Sequence, residues 1–147
     1  ALDFQPERIL LSFHGMPARV TALGDPYQRQ CEETARLLRL ATGHDEQTMP
    51  LAYQSRFGRA EWLQPYTEPT LVEMAKQGVR RVAVLTPGFS ADCLETLDEI
   101  GNEAAHAFKT AGGADFAAIP CLNASSCGIE LLRSIIGEML GTGAAGR

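Results

Sequence analysis

Three carboxylates follow the apolar segment 81–86 and the turn at residues 87–91. Asp92, Glu95 and Glu99 are spaced three and four residues apart, so they would share one face of a helix. Acids near the start of a helix suit its dipole, and a solvated acidic face needs no ligand. Like charges at this spacing nevertheless cost roughly 0.2–0.5 kcal/mol per pair, which a metal ion or a transferred proton could offset. The spacing alone leaves both interpretations open.

A histidine follows the first apolar run of the chain. His14 comes directly after residues 8–13, and Gly15 and Pro17 mark the turn that ends this segment. Neutral imidazole and carboxylate can both bind a divalent metal, and both can accept protons. A lone histidine at such a position is more often structural, and no H-x-x-H or H-E-x-x-H spacing is present. The sequence therefore does not indicate a permanent, closed metal site, and it is compatible with the transient passage of a metal.

The cysteines and serines offer weaker candidates. Four cysteines, none in a C-x-x-C pair, are scattered along the chain at Cys31, Cys93, Cys121 and Cys127. Such cysteines are mostly reduced and packed as small hydrophobic residues, so an iron–sulfur cluster is not expected from this chain alone. No serine lies in a nucleophile-elbow sequence. Covalent catalysis is therefore not indicated.

Alternating apolar and turn patterns predict the elements that position these residues. The predicted strands are residues 8–13, 51–54, 81–86 and 116–119, and the predicted helices are residues 28–41, 67–77, 92–111 and 127–140. Gly43 is predicted to end the first helix, and Ser125 or Ser126 to cap the last. Residues 141–147 are expected to fray. Strands that alternate with helices indicate one doubly wound α/β domain over residues 1–147, with a parallel four-stranded sheet and helices on both faces.

Parallel strands bring their carboxyl ends to one edge of the sheet, where ligands bind in open α/β folds. His14, the aromatic and basic segment 54–62, and Phe89 with the acids that follow it should all open toward this edge. Four apolar residues of the third helix recur at helical spacing and are predicted to face the sheet: Leu97, Ile100, Ala104 and Phe108. No G-x-G-x-x-G or Walker A sequence is present, so this Rossmann-like lobe lacks a phosphate cradle.

The composition is that of a soluble globular domain. The chain has 147 residues, of which 45% are apolar and 21% charged, and it has a net charge of −5 with a pI near 5.2. No basic cluster indicates nucleic-acid binding, and no apolar run is long enough to span a membrane. Because no signal peptide is visible, a cytoplasmic location is expected, while peripheral membrane contact stays open. The chain begins at Ala1 rather than at Met, which indicates a processed product or a piece of a longer protein.

Four segments carry a resemblance to a known family. They are Leu-Ser-Phe-His-Gly-Met-Pro at 11–17, Gly-Asp-Pro-Tyr at 24–27, Tyr-Gln-Ser-Arg-Phe-Gly at 53–58 with Trp62 and Leu63, and Pro-Gly-Phe-Ser-Ala-Asp-Cys-Leu-Glu-Thr at 87–96. In this order and spacing, the chain resembles the ferrochelatases, which insert ferrous iron into protoporphyrin IX to form haem. Ferrochelatases are about twice as long and have two similar lobes. This chain resembles their C-terminal lobe.

The resemblance implies roles for individual residues. His14 and Glu95 would be catalytic, with His14 taking pyrrole protons or meeting the metal, and Glu95 lying across the porphyrin from it. The implied metal path comprises His14, Glu95, Glu99 and Asp92. The implied porphyrin-binding residues are Phe89, Trp62, Ser55 and Met16. Cys93 stands where many members carry a second histidine, which argues against a mechanism that needs two imidazoles in this lobe. The implied substrates are Fe²⁺ and a porphyrin, and no ATP or redox cofactor is required.

The resemblance leaves two alternatives open. Half-length homodimeric cobalt or nickel chelatases, which act on reduced tetrapyrroles, are also similar to one lobe, although segments 54–62 and 92–96 favour a ferrochelatase. A lobe without its other half could also bind a tetrapyrrole or a metal without catalysis. The expected partner is the N-terminal lobe of the same protein. A homo-oligomer stays open, and no nucleic-acid partner is expected.

Overall fold

Four parallel strands form the central sheet of the computed structural model, which describes residues 2–141. The strands are β1 (Arg8–His14), β2 (Leu51–Gln54), β3 (Arg81–Leu85) and β4 (Asp115–Ala118). Their order in the sheet is β2-β1-β3-β4, and each neighbouring pair is parallel. The predicted parallel α/β sheet is confirmed. The ends of three strands differ by one residue from the prediction, and β1 extends far enough to include His14.

Helices cover both faces of this sheet. They are α1 (Ala18–Ala22), α2 (Tyr27–Thr42), α3 (Thr67–Lys76), a π-helix (Glu95–Ala104), α4 (Ala105–Thr110) and α5 (Ser126–Met139). Successive residues of a strand point to opposite faces, so Leu10 and Leu11 enter different cores. Leu10 packs in a cluster with residues of α3, the π-helix and α4, whereas Leu11 packs in a cluster with Cys31 and Ala35 of α2. The predicted two-sided coverage is confirmed.

Local sequence signals set the ends of two helices as expected. Gly43 follows α2 with a φ of 71°, a left-handed conformation that glycine adopts without a Cβ clash. The hydroxyl of Ser125 accepts a hydrogen bond from the backbone N–H of Gly128 at 3.1 Å and so caps α5. These contacts satisfy backbone groups that the helix itself leaves unpaired.

The helix after β3 differs from the prediction in its start and its winding. The sequence predicts a regular helix from Asp92, but the structure places Asp92 before a π-helix that begins at Glu95. Every fourth residue of this π-helix, namely Thr96, Ile100 and Ala104, is buried. Leu97, predicted to face the sheet, is 61% exposed, so that prediction is wrong. The wider turn of a π-helix, with bonds from residue i to i+5, changes which residues share a face.

α5 packs little against the rest of the domain. Within α5, which the structure describes in full, only Gly128 is buried. Seven large apolar side chains in and directly after this helix are exposed: Ile129, Leu131, Leu132, Ile135, Ile136, Met139 and Leu140. At about 100° per residue they occupy one half of the helix circumference, whereas Glu130 and Arg133 form an ion pair on the other half. These seven residues are called the α5 apolar face below.

Two further observations concern the chain as a whole. Over residues 2–141, no helix is both long enough and apolar enough to cross a membrane. The fraying expected for residues 141–147 falls outside the described residues, apart from Gly141.

Candidate active site

A cleft of about 660 Å³ opens at the carboxyl edge of the sheet, between the ends of β1 and β2 and the π-helix. Ten residues line it: His14, Ser55, Arg56, Phe57, Trp62, Leu94, Glu95, Asp98, Glu99 and Glu103. Of the residues assigned from the sequence, the structure therefore brings His14, Ser55, Trp62, Glu95 and Glu99 together. The cleft combines acidic side chains with exposed apolar ones, since Phe57 is 82% and Leu94 73% exposed.

The ring of His14 is held in one tautomer. Its Nδ1 lies 2.7 Å from the carbonyl oxygen of Gly15, which can only accept a hydrogen bond. Nδ1 therefore carries the proton, and in the neutral ring Nε2 keeps a free lone pair. The backbone is also fixed, because the hydroxyl of Tyr27 donates to the carbonyl oxygen of His14 at 2.8 Å. Phe89 does not line the cleft, but its ring packs against His14 with centroids 6.3 Å apart.

Glu99 is tied to the end of β2. The backbone N–H of Ser55 donates to Oε1 of Glu99 and the hydroxyl of Ser55 donates to Oε2, each at 2.5 Å. Hydrogen bonds to a charged acceptor are shorter and stronger than those between neutral groups. The carboxylate of Glu99 therefore stands at a fixed place in the cleft rather than moving with solvent.

Glu95 is kept in its charged form. Its pKa lies below the usual range, chiefly because the thiol of Cys93 donates a hydrogen bond to the carboxylate. The backbone N–H of Glu95 and the electrostatic attraction of His14 also lower the pKa of Glu95. Cys93, for which the sequence suggested no role, therefore contacts a residue of the site.

A tight contact at Gly15 joins the loop after β1 to the end of β2 and the loop that follows it. A Cβ at Gly15 would lie 2.7 Å from the carbonyl oxygen of Gln54 and 3.1 Å from the Trp62 ring, so only glycine fits there. The indole N–H of Trp62 donates to the carbonyl oxygen of Phe57 at 2.9 Å, which orients its ring. Met16 does not line the cleft. Its carbonyl oxygen accepts from the N–H of Leu63 at 2.9 Å, and its side chain packs in the core below.

Asp92 occupies a different place from the one predicted. It precedes the π-helix, so it does not share a face with Glu95 and Glu99, and it does not line the cleft. Its carboxylate accepts from the side-chain amide of Asn123 at 2.7 Å and from the N–H of Cys121 at 3.1 Å. These donors, Asn123 first, lower the pKa of Asp92 to about 2. Asp92 thus joins the loop after β3 to the loop after β4.

Sequence reasoning missed Asp98 and Glu103, which line the acidic side of the cleft. A signal was available in Glu103, because Glu95, Glu99 and Glu103 repeat every fourth residue, one position before the buried series that begins with Thr96. Over residues 2–141, no three His, Cys, Asp or Glu side chains group closely enough to hold a metal ion. A cation in this cleft would therefore contact one or two carboxylates at a time.

A solved structure shares this fold. The crystal structure of a protein described as a CbiX protein of cobalamin (vitamin B12) biosynthesis, from Marinobacter aquaeolei VT8, matches with a TM-score of 0.55 and 18% sequence identity. The match covers 93% of this chain and 97% of that chain. The chain is therefore a Rossmann-like α/β lobe of the kind found in that protein.

The sequence comparisons then identify the family. The Ferrochelatase family model matches residues 2–140. The chain is 56% identical to the ferrochelatase of Methylocella silvestris over 140 residues and 55% identical to that of Brucella ovis over 141 residues. The chain belongs to the ferrochelatase family, as the resemblance of its motifs predicted. The matches cover 95% of this chain and 40% of each relative, so the chain spans less than half the length of these curated relatives.

Proposed function

We propose that this chain is the C-terminal lobe of an enzyme that inserts Fe²⁺ into protoporphyrin IX, the last step of haem formation. The observation that carries the proposal is the pairing, in one cleft of a ferrochelatase-family chain, of His14 with the carboxylates of Glu95 and Glu99. A proton acceptor and an acidic surface for a dication are what the insertion of a metal into a porphyrin demands.

Porphyrin metallation removes two pyrrole protons and brings a dication to a flat, apolar ring. Nε2 of His14 has the lone pair needed to accept a proton, since Nδ1 is occupied by Gly15. Glu95, Glu99 and Glu103 line the acidic side of the cleft and would bind Fe²⁺, the substrate metal, through oxygen ligands in turn. No other cofactor enters the proposal.

The apolar residues of the cleft suit the macrocycle. Trp62, Phe57 and Leu94 line the cleft, and Phe89 supports the ring of His14. Aromatic and aliphatic side chains such as these bind flat apolar ligands, and a few polar groups set the orientation of the ligand. Tight walls could also bend the porphyrin and expose its nitrogen lone pairs. Asp92, which joins two loops, has a supporting place in this proposal rather than one on the metal path.

The proposed partner is a second lobe of the same polypeptide. The curated relatives are more than twice as long as the region that this chain matches. The α5 apolar face exposes seven large apolar side chains side by side, and exposed apolar patches commonly mark an interface. We infer that the additional part of the polypeptide covers this face. A homodimer is the competing arrangement, and a cytoplasmic location forms part of the same proposal.

We do not favour a half-length cobalt or nickel chelatase. The relatives that match at 55–56% identity are named ferrochelatases, whereas the CbiX structure shares 18% identity and supports a common fold alone. A lobe that binds a tetrapyrrole without catalysis has no specific observation in its favour.

Metal insertion followed by absorbance tests the proposal. Zn²⁺ or Fe²⁺ is supplied with a dicarboxylate porphyrin to this 147-residue chain and, in parallel, to the full-length product of its gene. We expect insertion by the full-length product and none by the short chain. Insertion by the short chain would contradict the need for a second lobe, and inactivity of both would contradict the proposed reaction.

A further inference from the structure

Gln54 is a buried polar residue that contacts two of the acidic residues of the cleft, Glu95 and Glu99, without lining the cleft itself. It ends β2 and is 3% exposed. Its Nε2 donates to the backbone carbonyl oxygen of Glu95 at 2.8 Å and lies 3.4 Å from Oε2 of Glu99. Its Oε1 accepts from the hydroxyl of Ser12 at 2.8 Å. Two acceptors on one side and a donor on the other fix the orientation of this amide.

The hydrogen bonds form a directed chain through the protein. Ser12 is 0% and Thr67 3% exposed, and their hydroxyl oxygens lie 2.7 Å apart. Because the hydroxyl of Ser12 donates its one proton to Gln54, the hydroxyl of Thr67 must donate to Ser12. The chain thus runs from the first residue of α3 through β1 and β2 to the first residue of the π-helix. Every member is satisfied, which makes such a network rigid.

This end of the π-helix borders a pocket on the side of Gln54, although Thr96 in its first turn is buried. A cavity of about 230 Å³ lies beside Gln54 and is also lined by Ser55, Thr67 and Glu99. Side chains that line this pocket have no protein packing partner on that side. Hydrogen bonds from Gln54 and Ser55 restrain the π-helix on this side, and Gln54 reaches both the backbone of Glu95 and the side chain of Glu99.

We propose that Gln54 is a positioning residue that fixes the spacing of Glu95 and Glu99, and that this spacing governs metal delivery rather than porphyrin binding. The inference rests on the proposed function. The side chain of Gln54 forms hydrogen bonds with Ser12, Glu95 and Glu99, whereas its pairing with His14 runs through the backbones of β1 and β2. Loss of the side-chain amide should therefore disturb the acids and leave the ring site intact. A residue that merely stabilised the fold would affect both substrates together.

Steady-state kinetics of the full-length product test the inference. Gln54→Met keeps the length of the side chain and removes its polar atoms. We expect kcat/KM for Zn²⁺ to fall about tenfold, as the loss of a hydrogen bond to a charged group implies, with KM for the porphyrin unchanged. Thr70→Val is the matched control, because it removes a part-buried hydroxyl of α3 that donates to the backbone carbonyl oxygen of Tyr66, directly before this helix.

Hydrogen–deuterium exchange supplies a readout that does not need activity. Gln54→Met should speed exchange in residues 95–104 of the full-length product, whereas Thr70→Val should not. Equal losses for metal and porphyrin, or unchanged exchange in residues 95–104, would overturn the inference. If wild-type protein inserts no metal, the proposed function falls, and the exchange experiment still decides whether Gln54 restrains the π-helix.

Discussion

Ser55 holds both oxygens of the Glu99 carboxylate, one through its backbone N–H and the other through its hydroxyl, each at 2.5 Å. Ser55 has a φ of 63°, a left-handed conformation that non-glycine residues seldom adopt and that tends to occur at functional sites. Since both donors belong to one residue, Glu99 cannot turn away without losing both bonds. The end of β2 is thereby joined to the second turn of the π-helix.

Removal of His14 or Glu95 should abolish metal insertion by the full-length product. We expect His14→Ala and Glu95→Gln each to lower kcat at least about 100-fold, the usual value of a positioned proton acceptor. Thermal unfolding should barely change, because both side chains face the open cleft. His106→Ala and Glu73→Gln, which alter exposed residues outside the cleft, are the controls. Near-normal turnover of either site variant would refute its assignment.

Gly15→Ala should push the loop after β1 away from the loop after β2. The new methyl group would meet the carbonyl oxygen of Gln54 at 2.7 Å, and backbone cannot yield as a flexible side chain does. We expect the free energy of unfolding to fall by about 1–3 kcal/mol, the usual cost of overpacking. Gly101→Ala is the control, since the closest atom to its Cβ is 3.6 Å away. Urea unfolding of both variants gives the comparison, and equal stability would contradict the contact.

Asp92 should stabilise the protein in a way that depends on pH. Its pKa of about 2 in the folded chain lies below the value of about 4 in an unfolded chain. The stabilisation is therefore complete above about pH 4 and is lost as the pH falls toward 2. Asp92→Asn should cost about 1 kcal/mol at pH 7, where the folded chain loses charged acceptors for Asn123 and Cys121.

The difference between wild type and Asp92→Asn should therefore shrink between pH 4 and pH 2. Chemical denaturation at several pH values measures it, with Asp115→Asn, at an exposed position, as the control. A difference that stays constant over this range would show that the charge of Asp92 is not what stabilises the two loops.

The α5 apolar face offers a test of the proposed second lobe. In the 147-residue chain, Leu132 and Ile136 are 50% and 55% exposed, so the double variant Leu132→Glu, Ile136→Lys should leave its free energy of unfolding unchanged. In the full-length product the same variant should cost about 3 kcal/mol if these side chains are buried between lobes. Ser134→Ala, on the polar half of α5, is the control. An unchanged full-length product would remove the α5 apolar face from the interface.

The sequence was sufficient for the fold. Strands such as β3 are short apolar runs with turn residues on both sides, and their alternation with helices leaves few arrangements other than a parallel sheet. Gly43 and Ser125 act through contacts with their immediate neighbours, which is why their roles could be predicted. The place of His14 at a strand end followed from the same local signals.

The π-helix could not be predicted, and the error at Leu97 follows from it. A regular helix places Leu97 near Ile100 and Ala104, whereas in the wider winding of the π-helix Leu97 is exposed. That winding accompanies contacts from distant residues, among them the amide of Gln54 on the carbonyl of Glu95. Asp92 was misplaced for a related reason, since its partner Asn123 lies 31 positions along the chain.

The hydrogen bond from His14 to Gly15 limits what one imidazole can do in a catalytic cycle. Because Nδ1 donates its proton to the carbonyl oxygen of Gly15, the lone pair of Nε2 is the one available on the ring. This lone pair can bind a proton or a metal but never both. A porphyrin gives up two protons for each metal it receives. One histidine can accept the second proton only after it has released the first. In the proposed reaction the two duties must then be separated, in time or between opposite sides of the ring. The fixed tautomer of His14 therefore determines the order in which proton transfer and metal binding can occur at this residue.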